Sequence, residues 1–382
     1  MIYLDNNATT RLDPRVLEVM MPFLTDEYAN AASTHPFGLR AHEAVKTARQ
    51  QVSKLLGCEP TELIFTSGAT EAINLAIKGV VENYADRGKH IVTVQTEHTA
   101  VLDVCRYLEG QGCEVTYLPV QADGLLDLAT VKQAIRPDTI LVSVMAVNNE
   151  TGVIQPIQQL AELAHAAGAL FMTDATQAVG KLPLDVENMG IDLLTLSGHK
   201  LYGPKGVGGL YVRQRKPWRV KMGTLLHGGG HERGWRSGTL NVPGIVGLGQ
   251  AAALCDQSMA EEAVRIGALR DELEASLLSI PGTRVNGSRE HRLYNTTNIL
   301  FEGCDSEAMI MGLEGIAVSN GSACTAASMD PSHVLLAMGL DDTEAFSCLR
   351  FSLGRFNISM DNTLILQSTE RIINKLRSYA TY

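Results

Sequence analysis

Between Leu55 and Val212 short apolar runs alternate with amphipathic stretches, and this rhythm restricts the fold more than any other feature of the sequence. "ELIFT" (62–66), "HIVTVQ" (90–95), "VTYLPV" (115–120), "TILVSVMAV" (139–147), "ALFMTD" (169–174), "IDLLTLS" (191–197) and "GVGGLYV" (206–212) read as strands. Runs of this kind, separated by helices, belong to strands covered on both faces. Between them, "EAINLAIKGVVENYA" (71–85) repeats Ile73, Ala76, Ile77 and Val80 at helical spacing, and "PIQQLAELAHAAG" (156–168) is helix-like too. The pattern predicts an α/β fold with a mostly parallel, seven-stranded sheet between helices. From about Cys255 the pattern changes. A long helix-like stretch, "AEEAVRIGALRDELEASLLSI" (260–280), leads to "TTNILFEG" (296–303) and "IAVSNGS" (316–322), read as strands of a smaller α+β unit. A chain of 382 residues exceeds one ordinary core, so two domains are expected.

Composition narrows the function classes. With 45% hydrophobic and 19% charged residues the balance is globular, and a net charge of -10 repels nucleic acid phosphates. No nucleic acid partner is expected. No apolar run approaches the roughly 20 residues that span a bilayer, and the start "MIYLDNN" has no basic, apolar leader, so neither a membrane association nor export is expected. A cytoplasmic location follows. The seven cysteines are odd in number and none forms a C-x-x-C pair, so free thiols are expected rather than disulfides or a zinc site.

Several segments carry chemistry. In "TLSGHKLYGPKGVGGLYV" (195–212), Lys200 follows a strand in a loop of Ser, Gly and His. It reads either as a surface lysine in a turn or as an amine that forms a Schiff base with an aldehyde, with small residues admitting a flat cofactor. In "LFMTDATQAVG" (170–180), Asp174 stands at a strand's C-terminal end, where open α/β sheets bind ligands. It reads as a helix cap or turn residue, or as the carboxyl that pyridoxal phosphate needs against its ring nitrogen. In "FTSGATEAINLAIKG" (65–79), Ser67, Gly68, Ala69 and Thr70 form either an ordinary capped helix start or a cradle for phosphate. His98, just past a strand in "VQTEHTAVLD" (94–103), is either structural or a catalytic ring that stacks on a cofactor and handles protons near neutral pH. Cys324 lies in "VSNGSACTAASMDPSHVL" (318–335), among small residues with little to pack. It reads as an incidental turn cysteine or as a reactive, accessible thiol.

Together the segments resemble the cysteine desulfurases of the NifS- and IscS-like branch. The matching stretches are "YLDNNATT" (3–10), "FTSGATEAINLAIKG", "TEHTAVLD" (96–103), "NNETG" (148–152), "DATQAVGK" (174–181), "SGHKLYGPKGVG" (197–208), "GGGHERGWRSGTLNV" (228–242), "SNGSACTAAS" (319–328) and "LRFSLGRF" (349–356). The resemblance implies a fold-type I, class V aminotransferase-like homodimer binding pyridoxal 5'-phosphate. Residues 13–255 would form the large cofactor domain, and 1–12 with 256–382 the small one. It implies that Lys200 holds the cofactor covalently, Asp174 pairs with the ring nitrogen, Gln177 bonds the ring oxygen and His98 stacks on the ring. Ala69, Thr70, Ser197 and His199 would hold the phosphate, with Thr239 reaching it from the second subunit. Asn149 and Arg350 would bind the substrate, Asn149 contacting the cofactor as well and Arg350 gripping the substrate carboxylate as a fork. Cys324 would take sulfur from L-cysteine, leaving L-alanine, and pass it to acceptors such as an iron–sulfur scaffold. A selenocysteine lyase or aminotransferase on the same scaffold, and a non-enzymatic cofactor-bearing regulator or scaffold, are the alternatives. The sequence departs from the family's pattern at "NAAS" (30–33), where a Pro-fixed turn before His35 is missing, and at Asn320 in "SNGSAC". It stops soon after "NKLRSYATY", so docking of a scaffold through a longer tail is not expected.

Overall fold

The protein is described here from a computed structural model, which covers residues 1–216, 218–321 and 330–379. Its centre is a seven-stranded sheet in the order Leu63–Thr66, Gly208–Val212, Leu193–Ser197, Leu170–Asp174, Thr139–Ser143, His90–Val94, Glu114–Leu118. All seven apolar runs read from the sequence are strands of this sheet. Gly208–Val212 runs antiparallel to both its neighbours, and the remaining pairs are parallel.

The unbroken apolarity of the strands has a direct structural cause. Side chains alternate across a sheet, so neighbours in sequence feed opposite faces. Phe65, Val92, Val142, Phe171, Leu194 and Tyr211 pack into one core with the helices Pro36–Leu56 and Ile157–Ala166. Ile64, Ile91, Leu141, Leu170, Leu193 and Leu210 pack into a second core with the helices Ala69–Tyr84 and Thr99–Glu109. Both faces are covered, and polar alternation is absent for that reason.

The last third follows a different plan. Strands Thr283–Asn286, Thr296–Phe301 and Cys348–Ser352 form an antiparallel three-stranded sheet, and Ile2–Tyr3 pairs in parallel with Ile316–Ala317. Leu4, Ile299, Phe351 and Ile373 share a core here with the helices Ser306–Gly312 and Met360–Tyr379. The helix expected from about Cys255 begins earlier. It runs unbroken over Val242–Leu278, started by Pro243 and by the Asn241 side chain, which accepts from the Gly244 N–H. Val242 to Cys255 pack on the large sheet's core, and Ile266 to Leu277 pack on the small sheet's core. Arg355 ties the two together: its Nη1 meets Asp13 at 2.6 Å, its Nε meets Glu262, and its N–H donates to the Tyr202 hydroxyl at 2.7 Å. At the variant "NAAS", Pro36 still opens the helix Pro36–Leu56, and His35 Nδ1 caps it by accepting from the Gly38 N–H at 3.2 Å. Among the described residues no helix is long and apolar enough to cross a membrane.

Candidate active site

At the C-terminal ends of the parallel strands lies a cavity of about 530 Å³. Ala69, Thr70, His98, Asn149, Asp174 and Gln177 line it, as do Ser197, His199, Lys200 and Arg350. With Ser67 and Gly68, which line it too, twelve of the candidate site residues singled out in the sequence converge on one space, from segments more than 280 residues apart. Thr239 is exposed and is not among the lining residues. Cys324 lies outside the described residues.

The turn Gly198–Lys200 follows directly on the strand Leu193–Ser197, and the N-terminal segment clamps it. Lys200 Nζ donates to the carbonyls of Asn7 and, at 2.8 Å, Ala8. Thr10 N–H donates to the His199 carbonyl at 2.8 Å, and its Oγ1 both donates there and accepts from Tyr202 N–H. Tyr202 adopts a left-handed φ of 64°, a strained conformation that surrounding contacts must hold. Burial, with the nearby Lys200 charge, depresses the His199 imidazole to about 4. At neutral pH it is uncharged, and its Nδ1 lies 3.1 Å from Thr9 Oγ1.

Asp174 ends the strand Leu170–Asp174 and is 5% exposed. Its Oδ1 accepts from Thr176 N–H, from Thr176 Oγ1 and from Thr195 Oγ1. No described residue bonds Oδ2. Gln177 follows within the same turn, donates from Nε2 to the Asn7 carbonyl at 2.8 Å and accepts from Lys181 Nζ at 2.9 Å. His98 caps the helix Thr99–Glu109, its Nδ1 accepting from Ala100 N–H at 3.0 Å. A ring nitrogen that accepts carries no proton, so the neutral tautomer is the Nε2–H form.

The helix Ala69–Tyr84 is capped by Gly68 rather than by Ser67 or Thr70, and no side chain bonds its first N–H groups. Those donors open toward the cavity, with the positive end of the helix dipole. Glu71, which also borders the cavity, is paired with Arg236 at 2.7 Å and accepts from the Ser67 N–H.

Arg350, on the strand Cys348–Ser352, is 2% exposed. Its guanidinium meets Asp5 Oδ1 at 2.6 Å and the Asn149 carbonyl at 3.0 Å, while no described residue bonds its buried Nε. A half-satisfied fork of this kind is suited to a carboxylate ligand.

The comparisons with known proteins agree with this geometry. The aminotransferase class-V family model matches residues 2–362. The cysteine desulfurase IscS of Anaeromyxobacter dehalogenans is 53% identical over 378 residues, 98% of this chain and 93% of that protein. The chain belongs to the class-V aminotransferases, in their cysteine desulfurase branch. The cysteine desulfurase IscS of Haemophilus influenzae strain PittGG is 52% identical over 380 residues, 99% of this chain and 94% of that protein. Among solved structures, a NifS-like protein superposes with a TM-score of 0.91 at 38% identity, covering 98% of this chain and 99% of its own. SspA in complex with cysteine superposes at 0.83 with 40% identity, covering 94% and 100%.

Three residues of the site carried no role in the sequence reading. Asn7 is 1% exposed and joins the site's halves: its Nδ2 donates to the Asn149 carbonyl and to Thr296 Oγ1, and its carbonyl receives Lys200 and Gln177. Its only signal was its place in "YLDNNATT". Glu97, beside His98, is fully buried, and burial together with the Asp174 charge pushes its carboxyl well above the usual range. Its Oε1 accepts from Met145 N–H, which fixes the end of the neighbouring strand. Lys181 lies four residues after Gln177, and the turn between them, with Gly180 at a φ of 75°, brings its Nζ to Gln177 Oε1.

Proposed function

We propose that the protein is a pyridoxal phosphate-dependent cysteine desulfurase that converts L-cysteine to L-alanine and collects the sulfur on Cys324. The observation that carries this reading is the convergence of Lys200, Asp174 and Arg350 on one cavity. An amine, a carboxyl with one oxygen unbonded and a half-satisfied guanidinium are the groups that a cofactor aldehyde, a ring nitrogen and an amino-acid carboxylate require. The N-terminus of Ala69–Tyr84, whose Gly68 cap offers no side chain to its first N–H groups, supplies the anion site for the phosphate, and the cavity volume accommodates a flat ring.

When bound, pyridoxal phosphate supplies an aldehyde for amines and a ring that delocalises electrons released at the substrate Cα. Lys200 would anchor it through its amine, and the same amine, when free, would take the Cα proton. Asp174 would pair with the ring nitrogen, and Gln177 would donate to the ring oxygen. His98 would stack on the ring face. Ala69, Thr70, Ser197 and the neutral His199 would hold the phosphate. Arg350 and Asn149 orient the substrate, so that its sulfur points away from the clamp. The Cys324 thiolate then attacks that sulfur. A sulfur–sulfur bond forms and the substrate's carbon–sulfur bond breaks; its electron pair stays on carbon, which is protonated and leaves as alanine. The persulfide on Cys324 is passed to an acceptor, for which iron–sulfur cluster assembly is the destination we favour.

The same reading includes a homodimer in the cytoplasm, with Thr239 serving the partner's phosphate. An exposed Thr239 outside its own chain's cavity is compatible with that role. The separation of the two cores on the large sheet from the core on the small sheet supports a large domain over 13–255 and a small one over 1–12 and 256–382, with Leu4 packing in the latter.

Single-turnover reaction with L-cysteine tests the function. Alanine should appear in amounts matching the enzyme, with one extra sulfur on the peptide carrying Cys324. Alanine formation that requires a keto acid, without sulfur on any cysteine, would replace this reading with an aminotransferase.

A further inference from the structure

Lys181 is 4% exposed, and the only hydrogen bond its side chain makes among the described residues runs from Nζ to Gln177 Oε1 at 2.9 Å. It forms no ion pair there. Burying an amine without an anion is costly, and an unbranched apolar side chain such as Met would fill the same space without that cost. The polar head therefore needs a reason.

That reason is the Gln177 carboxamide, whose two ends carry opposite hydrogen-bonding character. Nε2 gives one N–H to the Asn7 carbonyl at 2.8 Å, and a carbonyl can only accept. The same carbonyl also receives Lys200, so its hold on Gln177 is shared. Lys181 secures the other end, because a rotated amide would turn its oxygen toward Asn7 and its N–H groups toward an amine donor. With Oε1 occupied and one N–H given to Asn7, the second N–H of Nε2 has no acceptor among the described residues, and Gln177 lines the cavity.

We propose that Lys181 is a positioning residue: it locks the Gln177 amide so that an N–H, and not the carbonyl, is offered to the cofactor's ring oxygen. The inference rests on the pyridoxal phosphate reading of the cavity. The fold makes the contact by a tight turn at Gly180, with φ 75°, where a Cβ would come within 2.9 Å of Cys255 Sγ on the long helix. Burial, then the Lys200 charge, lowers the Lys181 amine to about 7, and both its protonated and neutral forms retain an N–H for Oε1.

The test is a double-mutant cycle on the holoenzyme, read by pH titration of the bound cofactor's visible absorbance. An N–H on the ring oxygen stabilises its negative charge, so losing it raises the titration midpoint. Gln177→Ala should raise it by about one pH unit, a tenfold change in proton affinity. Lys181→Met should raise it comparably, and the double variant should rise no further than the larger single one. A through-space charge or packing effect of Lys181 would persist without Gln177. Additive shifts would therefore overturn the proposal. Lys181→Gln, run through the same cycle, covers the case in which Lys181→Met does not fold, and additivity there counts equally against it. A wild-type protein with no cofactor absorbance at all would overturn the reading of the cavity together with this inference, and is told apart from additivity by the first spectrum.

Discussion

Gly208→Ala should damage the phosphate end of the site without touching any group that does chemistry. Gly208 pairs with Thr66 on one side and Ser197 on the other, and it is not among the positive-φ glycines, so its requirement is space. A Cβ there would lie 2.4 Å from the Leu196 carbonyl oxygen and 2.7 Å from Gly68 Cα. Both neighbours are backbone, and neither can turn aside as a side chain can. Relief must come from moving Gly68, the cap of the helix that we assign to the phosphate. Overpacking of this kind costs about 1–3 kcal/mol. If the whole cost falls on the cradle, cofactor affinity drops by roughly 5- to 150-fold. Gly209→Ala is the internal control: on the opposite face, its Cβ would first meet the end of the Leu63 side chain at 3.2 Å, which can yield by a few tenths of an ångström. Fluorescence titration of apoenzyme with pyridoxal phosphate, beside urea unfolding of the same samples, separates lost affinity from lost stability. Equal cofactor affinity and stability in Gly208→Ala and wild type would mean that this end of the helix is not held by the close approach described.

The other expectations follow from individual groups. Cys324→Ser should keep cofactor colour and cysteine binding but lose alanine formation almost completely, because a hydroxyl cannot take up sulfur; sulfur found instead on Cys304 would be surprising, since that thiol is 1% exposed and burial raises it above its ordinary value. Lys200→Ala should abolish covalent attachment of the cofactor, and borohydride-trapped cofactor in that variant would remove Lys200 from its role. Asp174→Ala should weaken the electron sink and, to a lesser degree, cofactor retention; alanine formed at the wild-type rate would make Asp174 merely structural. In cofactor-free protein, the Lys181 amine falls from 10.5 to about 7 on folding. Between those values the unfolded chain holds more protons, so wild-type stability relative to Lys181→Met should rise with pH from about 7 to 10.5, by at most about 5 kcal/mol; urea midpoints whose difference is flat across that window would contradict the burial of a chargeable amine.

Much of the fold was legible because the strands are apolar at consecutive positions, and that pattern has one main structural cause. Leu193 and Leu194 enter different cores, as do Ile64 and Phe65. The long helix was read only from about Cys255 because its first half, "VPGIVGLGQAAAL", is rich in glycine and alanine, which pack closely there. Gly249, for example, stands where a Cβ would be 2.5 Å from Ala48 Cα on the neighbouring helix. Helix propensity alone does not reveal such a contact, since glycine counts against a helix unless a close approach demands it.

The site was legible where a single residue announces its chemistry, and hidden where chemistry is shared between backbone and side chain. Asp174 and Lys200 are charged types at a strand end and in a turn, and Arg350 is an arginine inside a mostly apolar strand. Asn7 acts through its carbonyl, and that acceptor is present at every residue, so nothing in its identity marks it. It can receive both Lys200 and Gln177 only because the N-terminal segment is threaded under the turn after Ser197, with Thr10 bonded to His199 and Asp13 N–H to Tyr202. The same threading brings Asp5 to Arg350. On the proposed roles, a substrate carboxylate arriving at Arg350 would meet a guanidinium already oriented by a neighbouring carboxyl, and the Lys200 amine sits on carbonyls two and three residues further along the same strand of chain. Arg350 and Lys200 are in this way fixed relative to each other by residues 5–10. This explains why a segment with little reactive chemistry of its own carries so many of the site's hydrogen bonds.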